Sequence, residues 1–528
     1  MWLKNLFAAI ILAICITSTT NLAGELTEDT TWSGTVIVDS NVIIPAGIVL
    51  TVEPGTTVQM KDAVRIKVYG QLLADGNEAK PIRFTRYASG MKWRHIIFIE
   101  AADSRLTNCI IEYGGKAGSH TGYYDPWLPR DYNEAVVALA CHVDFEKCVF
   151  QKLPTTGGEG DAIAIVSDDL YPPGSASANF RSCRFLDIGQ GIHTRYAYVQ
   201  VEDCYFQHKN GDNDDVDLYG ESPPGFPPCL IRNNLFDVPE DDDRINPTKC
   251  SVVIIGNIIK GSNDHGIVLR DKGSPIVMNN VIANCSSGGI AVENSCTATL
   301  VNNTIVNCGR GLRLFDLGRA DHPYHLTPGG GTATVINCII WGDLTTQPIT
   351  LADSSNTTIP DRGSHITVMY SDVKNGRAGV SVSGTYSTVM WGDGNINADP
   401  QFVDPNYHLK SQAGHWDQIT KSWILDAVTS LCIDAGDPNS DWTAELWPHG
   451  KRINMGAYGG TPEASLSLSN AGNIGDLDNN GTVDFQDLAQ FAAQWETQRP
   501  LLREDLDRNK IVDCNDLSIF VDNWLSEN

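Results

Sequence analysis

Two short acidic segments near the C-terminus have the residue types and spacing of calcium-binding loops. The first, DLDNNGTVDFQDL, begins at residue 476 and has an oxygen-bearing side chain at every second position and again at its end. Calcium prefers such oxygen ligands, and glycine at the sixth loop position lets the chain turn sharply. That glycine is Gly481, and the predicted ligands are Asp476, Asp478, Asn480, Asp484 and Asp487, with the backbone carbonyl of Thr482.

The second segment, DLDRNKIVDCNDL, repeats the pattern 29 residues later. Its sixth position is Lys510, and a side chain there strains the turn, so we expect weaker binding at this loop. Two matches in tandem argue against a chance run of acidic residues. The predicted ligands are Asp505, Asp507, Asn509, Asp513 and Asp516, with the backbone carbonyl of Ile511.

Each loop is followed by an amphipathic stretch that ends in tryptophan, at Trp495 and Trp524. Two loop–helix halves with aspartate at loop position 12 resemble a dockerin, a small all-α module. The resemblance implies Ca²⁺ as cofactor and a cohesin-like scaffold or surface receptor as partner of residues 475–528. Positions 10 and 11, which help dockerins select a partner, are Phe485–Gln486 and Cys514–Asn515, unlike the Ser/Thr pairs of cellulosomal members.

A second set of polar residues recurs in the middle of the chain. Short segments there align as GIHTR, DVDLY, RINPT, GIVLR, GIAVE and GLRLF. The alignment places Asp214, Asp243 and His265 in one column on successive repeats, with Asp242 and Asp264 in the column beside it. Carboxylates and an imidazole at such spacing can hold a metal ion or transfer protons.

The neighbouring positions offer candidates for sugar binding. Arg195 and Arg270 share another column of the same alignment, and Asp217 lies on one of the aligned segments. The loop GYYDPWLP supplies Tyr123 and Trp127, whose rings can stack on sugar rings. Packing over the flank of the repeat domain is an equal alternative for this loop.

A repeated phrase indicates the elements that position these columns. A polar residue, then Cys or Asn, then two residues of which the second is usually large and apolar, recurs along the chain; between Asn234 and Asn303 each step is 23 residues. The apolar runs are short and rich in Val and Ile, which favours strands over helices and argues against a leucine-rich repeat. We therefore predict an all-β, right-handed parallel β-helix solenoid. The anchor residues of the phrase are Cys109, Cys148, Cys183, Cys204, Asn234, Asn257, Asn280, Asn303 and Cys338.

The anchor column predicts a ladder inside the solenoid. Stacked strands lie about 4.8 Å apart, so asparagines in one column can hydrogen-bond along the stack. Cysteine in the same column behaves as a small buried hydrophobe. We therefore expect most of the cysteines to be free and buried.

The flanks of the repeat resemble secreted, pectate-lyase-like β-helix proteins. Residues 31–60 alternate like the first coils of bacterial β-helices, and residues 399–459 resemble the segment that closes them. The predicted domains are a signal peptide at 1–24, a β-helix at 25–460, a small polar linker at 461–474 and the dockerin-like module at 475–528. The signal peptide follows from Lys4, the apolar run from Leu6 to Ile16 and the small residues at Ala23 and Gly24.

Two chemistries fit a β-helix with these columns, and between them they make Asp214, Asp243, His265 and Arg270 the candidate catalytic residues: the lyase would use the two aspartates and Arg270, whereas the hydrolase would rely on His265. Aspartates could hold calcium against a substrate carboxylate while an arginine abstracts a proton, as in the polysaccharide lyases that the fold resembles. Alternatively, NGDNDDVDL, PEDDDRIN and NDHGIVL resemble motifs of polygalacturonase-type inverting hydrolases, although their downstream Arg-x-Lys has no match. Turn residues around a structural calcium and sugar binding without chemistry stay open as alternatives.

The charge balance narrows the partners. The formal net charge is −26, from 64 acidic and 38 basic residues, which disfavours nucleic acid and anionic membranes. No later segment is long enough to span a bilayer. We expect a secreted or cell-surface monomer that binds or degrades polysaccharide, with a non-catalytic adhesion rod as the alternative.

Overall fold

The computed structural model describes residues 14–16, 21–115, 134–153, 161–167, 176–207, 214–222, 225–237, 242–317, 327–342, 347–356, 359, 362–469 and 471–525. The chain divides into two compact units, Met1–Leu230 with Glu240–Asp242 and Ile231–Pro239 with Asp243–Asn528. The division falls inside the predicted β-helix domain 25–460. Most of the predicted signal peptide lies outside the described residues.

The first unit consists of short strands whose side chains alternate between buried and more exposed positions, as in β8, where Leu72 and Ala74 are buried. Its strands are β1 (Ile14–Ile16), β2 (Asn21–Glu25), β3 (Thr30–Trp32), β4 (Thr35–Ile44), β5 (Val49–Val52), β6 (Thr57–Met60), β7 (Ile66–Val68), β8 (Gln71–Asp75), β9 (Ile82–Arg86), β10 (Ile96–Ile99), β11 (Ser104–Thr107), β12 (Cys109–Glu112), β13 (Val136–Leu139), β14 (His142–Glu146), β15 (Val149–Gln151), β16 (Ile163–Val166), β17 (Ser177–Arg181), β18 (Arg184–Leu186), β19 (Ile192–Arg195), β20 (Tyr198–Glu202), β21 (Tyr205–Gln207) and β22 (Val216–Tyr219). The next strand, β23 (Cys229–Arg232), contains the boundary between the units.

Parallel pairing between every third strand gives the first unit three stacks of strands, called sheets here, of which the second and third are joined through β4. The first sheet includes β8, β11, β14, β17 and β20; the second includes β9, β12, β15, β18 and β21; the third includes β10, β13, β16, β19 and β22. Phenylalanines stack in the interior, with Phe150 and Phe206 each within 5.1 Å, centroid to centroid, of the ring of Phe185. The first unit is therefore a parallel β-helix, as the repeat predicts.

The second unit continues this strand pattern within itself. Its first sheet contains β26, β29, β32, β35, β38 and β41, its second β24, β27, β30, β33, β36 and β39, and its third β25, β28, β31, β34, β37 and β40. The strands are β24 (Leu235–Phe236), β25 (Ile245–Thr248), β26 (Val252–Ile255), β27 (Ile258–Ile259), β28 (His265–Arg270), β29 (Ile276–Met278), β30 (Val281–Ala283), β31 (Gly288–Glu293), β32 (Thr297–Val301), β33 (Thr304–Val306), β34 (Leu312–Phe315), β35 (Thr332–Ile336), β36 (Ile339–Trp341), β37 (Ile349–Ala352), β38 (His365–Met369), β39 (Asp372–Val373), β40 (Val380–Ser383), β41 (Thr388–Trp391), β42 (His415–Asp417) and β43 (Ser422–Ile424), with a 3-10 turn at Gly376–Gly379.

The asparagine ladder is present in the second unit. The Nδ2 group of Asn234 donates to Oδ1 of Asn257 at 2.9 Å, Asn257 donates in the same way to Asn280, and Asn280 to Asn303 at 3.0 Å. The residue before each of these anchors has a left-handed backbone, for example Asn233 with φ +56 and Asn279 with φ +55. Asparagine tolerates this conformation better than most residues, which explains the Asn-Asn pairs in the repeated phrase.

The cysteines behave as the anchor column predicts. The thirteen cysteines from Cys109 to Cys514 are free, and all but Cys514 are buried. Cys338 replaces an asparagine at the end of the ladder, where its sulfur lies 3.4 Å from the backbone nitrogen of Asn303. The sulfur atom therefore serves as a weak acceptor in place of an amide oxygen.

A segment of mostly irregular structure, residues 399–467, follows the last parallel strand, and we call it the closing segment. It packs on the second unit's own coils, where Asn302 donates to the carbonyl of Asn454 at 2.9 Å and Thr304 accepts from the nitrogen of Ala457 at 2.9 Å. The antiparallel pair β42–β43 lies within it. The predicted linker at 461–474 needs correction at its start, because Ala464–Ser467 are buried and Leu466 donates to the carbonyl of Gly414 at 2.9 Å.

The two α-helices of the described residues lie in the C-terminal module: α1 (Phe485–Ala493) and α2 (Cys514–Asp522). Asp484 and Asp513 cap them with the same backbone angles, φ −138 and ψ −164, and both helices begin with a capping box. Phe491 and Phe520 stack at 5.5 Å in a shared apolar core. None of the helices described here is long and apolar enough to cross a membrane.

Candidate functional site

The third sheet of the second unit brings the predicted column residues together. Strand register pairs Ile245 with Ile267, and His265 with Gly288. A Cβ at position 266 would meet Ile282 at 2.6 Å, so Gly266 faces the core like Ile267. Because two consecutive positions face inward, His265 lies on the outer side of the sheet at the start of β28. The predicted stacking of Asp243, His265 and position 288 is confirmed.

His265 is held between two carboxylates. Its Nδ1 atom lies 3.3 Å from Asp243 and 3.0 Å from Asp264, and its backbone nitrogen donates to Asp243 at 3.1 Å. Burial lowers the pKa of this histidine, but its hydrogen bonds to Asp243 and Asp264 outweigh burial and raise the pKa to about 9. The hydrogen bond from His265 likewise lowers the pKa of Asp264 to about 2. At neutral pH the ring is therefore an imidazolium beside an ionised Asp264.

The second nitrogen of His265 is buried. Among the described residues Nε2 has no hydrogen-bond partner, although the residue is only 4% exposed. A Cβ at Gly288 would lie 2.8 Å from Cδ2 and 3.4 Å from Nε2 of His265, so glycine keeps this side of the ring uncrowded. The arrangement leaves Nε2 as a buried donor without an acceptor in the described part of the chain.

Arg270 closes the other side of the cluster. Its Nε atom donates to Glu293 at 2.9 Å, and its guanidinium lies 3.6 Å from Asp243 and donates to Asn246 at 3.4 Å. Glu293 is the register partner of Arg270 on the next strand. Asp243 is 3% exposed and contacts both His265 and Arg270, so it can position both side chains, and its catalytic role stays a prediction.

Two more arginines lie beside this cluster on the following strand and turn. Arg313 pairs in register with Ala291, stands 3.8 Å from the ring of Phe315, and interacts electrostatically with both Glu293 and Asp264. Arg310 is exposed, and its positive charge lowers the pKa of Arg313. Burial lowers the pKa of Arg313 without removing its charge at neutral pH.

The carboxylate geometry tests the hydrolase prediction. Metal-ligating atoms of Asp243, Asp264 and His265 all lie within 4.8 Å of one another. Inverting glycosidases place their two carboxyl groups roughly 6.5–9.5 Å apart so that a water fits between them. One ligand oxygen each of Asp243 and Asp264 lies closer than that range, but the predicted catalytic set contains Asp214 and Asp243, so the hydrolase stays a prediction.

The other predicted residues lie in the first unit. There Asp217 contacts Nδ1 of His193 at 3.0 Å, and Nε of Arg195 lies 3.4 Å from the other ring nitrogen. Burial lowers the pKa of His193, but Asp217 outweighs it and the pKa is raised. Asp214 lies just before β22, the strand that contains Asp217, and is partly exposed. Tyr123 and Trp127 lie outside the described residues.

The sequence analysis did not predict two contacts of the candidate residues, that of Glu293 with Arg270 and that of His193 with Asp217. Both follow from register, since residues in one column of adjacent strands contact each other. Arg270 and Glu293 have opposite charges in one column, as do His193 and Asp217. A search for opposite charges in the aligned segments GIVLR and GIAVE would have found the first pair.

The two C-terminal loops have matching geometry. In the first, Asp476, Asp478 and Asp487 bring oxygen atoms within 4.8 Å of one another, and Asp487 accepts from the nitrogens of Leu477 at 2.7 Å and Asp484 at 2.8 Å. The turn residue Gly481 has φ +100. At the fifth position, the side-chain oxygen of Asn480 accepts from the nitrogen of Thr482 at 2.9 Å.

The second loop repeats this arrangement. Asp505, Asp507 and Asp516 again bring oxygen atoms within 4.8 Å, and Asp516 accepts from the nitrogens of Asp507 at 2.9 Å and Asp513 at 2.8 Å. Lys510 has φ +77, so a side chain occupies the left-handed position that Gly481 fills in the first loop. Burial raises the pKa of Asp505 to about 6. An all-oxygen set with this much buried negative charge suits a hard divalent cation such as calcium.

Comparisons with known proteins agree with the fold. Residues 140–324 match the model of the right-handed β-helix region, and residues 283–436 match the model of disaggregatase-related proteins. The chain thus contains a right-handed parallel β-helix. No curated protein matches it.

Three solved structures show distant similarity to the chain. A mutant of the periplasmic alginate epimerase AlgG is 13% identical over 65% of this chain and 79% of its own, with a TM-score of 0.36. The Dettilon tailspike protein is 12% identical over 68% of this chain and 63% of its own, with a TM-score of 0.33. A tailspike mutant of E. coli bacteriophage HK620, in complex with a pentasaccharide, is 12% identical over 69% and 73%, with a TM-score of 0.33.

Proposed function

We propose that the chain is an exported protein that binds an anionic polysaccharide on the third sheet of its second unit. The observation that carries the proposal is the cationic cluster at that site. His265, Arg270, Arg310 and Arg313 are cations, against the three anions Asp243, Asp264 and Glu293. A local excess of positive charge on a chain of net charge −26 marks a place where an anion is favoured.

Uronic acids are the sugar class that this cluster suits. Arginine recognises carboxylates through paired N–H donors, and imidazolium adds a charged donor. Arg310 is exposed, and the side chain of Asp264 is 39% exposed, so both can meet a bound sugar. Asp264 can accept from sugar hydroxyls while the arginines neutralise a carboxylate.

Cleavage by β-elimination is the second candidate, and the protonated His265 favours it. In that reaction the proton on C5 of a uronate is removed, a C4–C5 double bond forms, and the C4–O4 bond breaks. The Nε2 proton of His265 would pass to the departing O4 atom. Asp264 is the adjacent group that would take the C5 proton, and its pKa of about 2 makes it a weak base. Binding of the polysaccharide is therefore preferred over its cleavage as the proposed function.

The test measures binding and cleavage on mature protein from residue 25 onward. We expect polygalacturonate and alginate to bind, with affinity that falls as salt rises, and neutral glucans to bind at least about 10-fold more weakly. Arg310→Ala and Arg313→Ala should each weaken uronate binding, whereas Arg181→Ala, at an exposed position of β17, should not. Absorbance near 235 nm would reveal elimination. Equal binding of neutral chains, or no effect of the two site variants, would refute the proposal.

The C-terminal module is proposed to bind Ca²⁺ and to attach the protein to a cohesin-like scaffold or surface receptor, as its dockerin-like pattern implies. Two loops of the same geometry, each with three aspartates that converge, support this. Calorimetry of the full chain should detect two calcium sites, and Asp487→Asn and Asp516→Asn should each remove one. A chain that binds no calcium would contradict the proposal.

A further inference from the structure

The C-terminal module contacts the closing segment through its calcium loops. In the first loop, Nδ2 of Asn479 donates to the carbonyl of Thr443 at 3.3 Å. In the second, the guanidinium of Arg508 donates to the carbonyl of Trp447 and lies 5.2 Å from the ring of Trp423. The module and the closing segment both belong to the second unit, so this contact is part of one compact body.

The two loops use the same position for this contact. Asn479 and Arg508 each occupy position 4, and both have left-handed backbones, with φ +57 and φ +62. A third donor, Nζ of Lys510, lies 3.3 Å from the carbonyl of Thr420. Both halves of the module therefore face the closing segment in an equivalent way.

Arg503, between the two loops, joins the module's own backbone to the closing segment. Its guanidinium donates to the carbonyl of Leu477 at 2.7 Å and also to that of Thr443. Leu477 follows the first predicted ligand of loop 1. The acceptors on the closing segment are thus backbone carbonyls, whose positions are fixed by the fold and not by side-chain rotamers.

The donors at position 4 stand between calcium ligands in the chain. Asn479 lies between Asp478 and Asn480, and Arg508 lies between Asp507 and Asn509. The backbone conformation that turns the ligands toward a bound ion is therefore the one that directs these donors outward. A cation that stabilises the loop also stabilises the donor geometry, so the two equilibria are linked.

We propose that calcium holds the module on the closing segment, so that the outer face of the two loops is a calcium-dependent docking surface within the chain. The inference rests on the proposed calcium binding. It leaves the helix surface available to an external partner, because Phe485 is 74% exposed and Val521 on α2 is 58% exposed. Internal docking and partner recognition then use different faces of the module.

The experiment measures the distance between the module and the closing segment in the full chain. Cys514→Ser removes the exposed thiol, and Leu431→Cys with Val521→Cys provides two exposed labelling sites for energy transfer. Transfer should be high with calcium and fall with EGTA. The double variant Asn479→Ala with Arg508→Ala should bind two calcium ions but give low transfer in calcium, and by reciprocity its calcium affinity should fall about 5-fold or more.

Gln490→Ala, on the exposed face of α1, is the matched control and should behave like the parent. High transfer that survives EGTA, or that survives the double variant, would overturn the inference. If calorimetry detects no calcium binding, the proposed calcium function fails together with the docking inference. If calcium binds at both loops and transfer stays constant, only the docking inference fails.

Discussion

Removing one amide from the asparagine ladder should destabilise the second unit by several kcal/mol. Oδ1 of Asn257 accepts from both the backbone nitrogen and Nδ2 of Asn234 at 2.9 Å. Its own Nδ2 donates to Asn280 at 2.9 Å and to the carbonyl of Ile231 at 3.0 Å. Asn257 is fully buried, so no water can replace these bonds without entering the interior.

The size of the effect follows from that set of bonds. Each buried hydrogen bond contributes about 1 kcal/mol net, and a buried donor left without an acceptor costs roughly 1–3 kcal/mol. Asn257→Ala removes five bonds, the fifth a longer one of 3.3 Å from Nδ2 to the carbonyl of Ile255, and withdraws the acceptor of the Asn234 backbone nitrogen, which gives a loss of roughly 4–6 kcal/mol. Asn257→Cys should cost about half as much, because a sulfur atom serves as a weak acceptor where Cys338 meets Asn303.

The assay is equilibrium unfolding in urea, followed by far-ultraviolet circular dichroism, for the parent and both variants. The expected order of stability is parent, then Asn257→Cys, then Asn257→Ala. A loss below about 1 kcal/mol for the alanine variant would refute the reasoning, because it would mean that the ladder adds little to the strand pairing. Equal losses for cysteine and alanine would refute the role assigned to sulfur.

Three further outcomes are expected. The pKa of His265 rises from 6.5 to about 9 on folding, so the free energy of unfolding of the parent should exceed that of His265→Gln by about 3 kcal/mol below pH 6.5. Urea titrations should show this difference disappear as the pH rises through 9. A difference that stays constant with pH would contradict the assignment. Among the thirteen cysteines from Cys109 to Cys514, only Cys514 should react rapidly with a thiol reagent in the folded protein, and several fast thiols would contradict the buried column. Gly481→Ala, at φ +100 with no atom within 4 Å of the added methyl, should weaken only the first calcium site, by roughly 10-fold in calorimetry, since the cost is backbone strain.

Much of the fold could be predicted because the sequence repeats residue types at a fixed interval. The step from Asn257 to Asn280 determines strand register, and register places His265 beside Asp243. Contacts in the irregular segments could not be predicted in this way, because those segments contain no repeat. In the closing segment, Leu466 is buried and donates to the carbonyl of Gly414, a contact that no periodic sequence pattern predicts.

The candidate site was predicted only in part, for a related reason. Alignment of segments shows which residues share a column, but not which side of the sheet each one faces. Gly266 faces the core and shifts the alternation, and that local irregularity moves His265 outward. Asp243 is buried and lies 3.6 Å from the guanidinium of Arg270, a contact that the alignment did not predict.

The equal spacing of the ladder has a consequence for how such a chain can change over evolutionary time. Each link from Asn234 to Asn303 spans 23 residues and is made by the same pair of atoms. Deleting one whole link, residues 257–279, would bring Asn280 to the place of Asn257, and the amide of Asn234 would find the same acceptor. Duplicating a link would be equally neutral for its neighbours, whereas a deletion of fewer residues would misalign every strand after it. Insertions and deletions in this region should therefore comprise complete coils, and the lengths of related chains should differ there by whole numbers of coils.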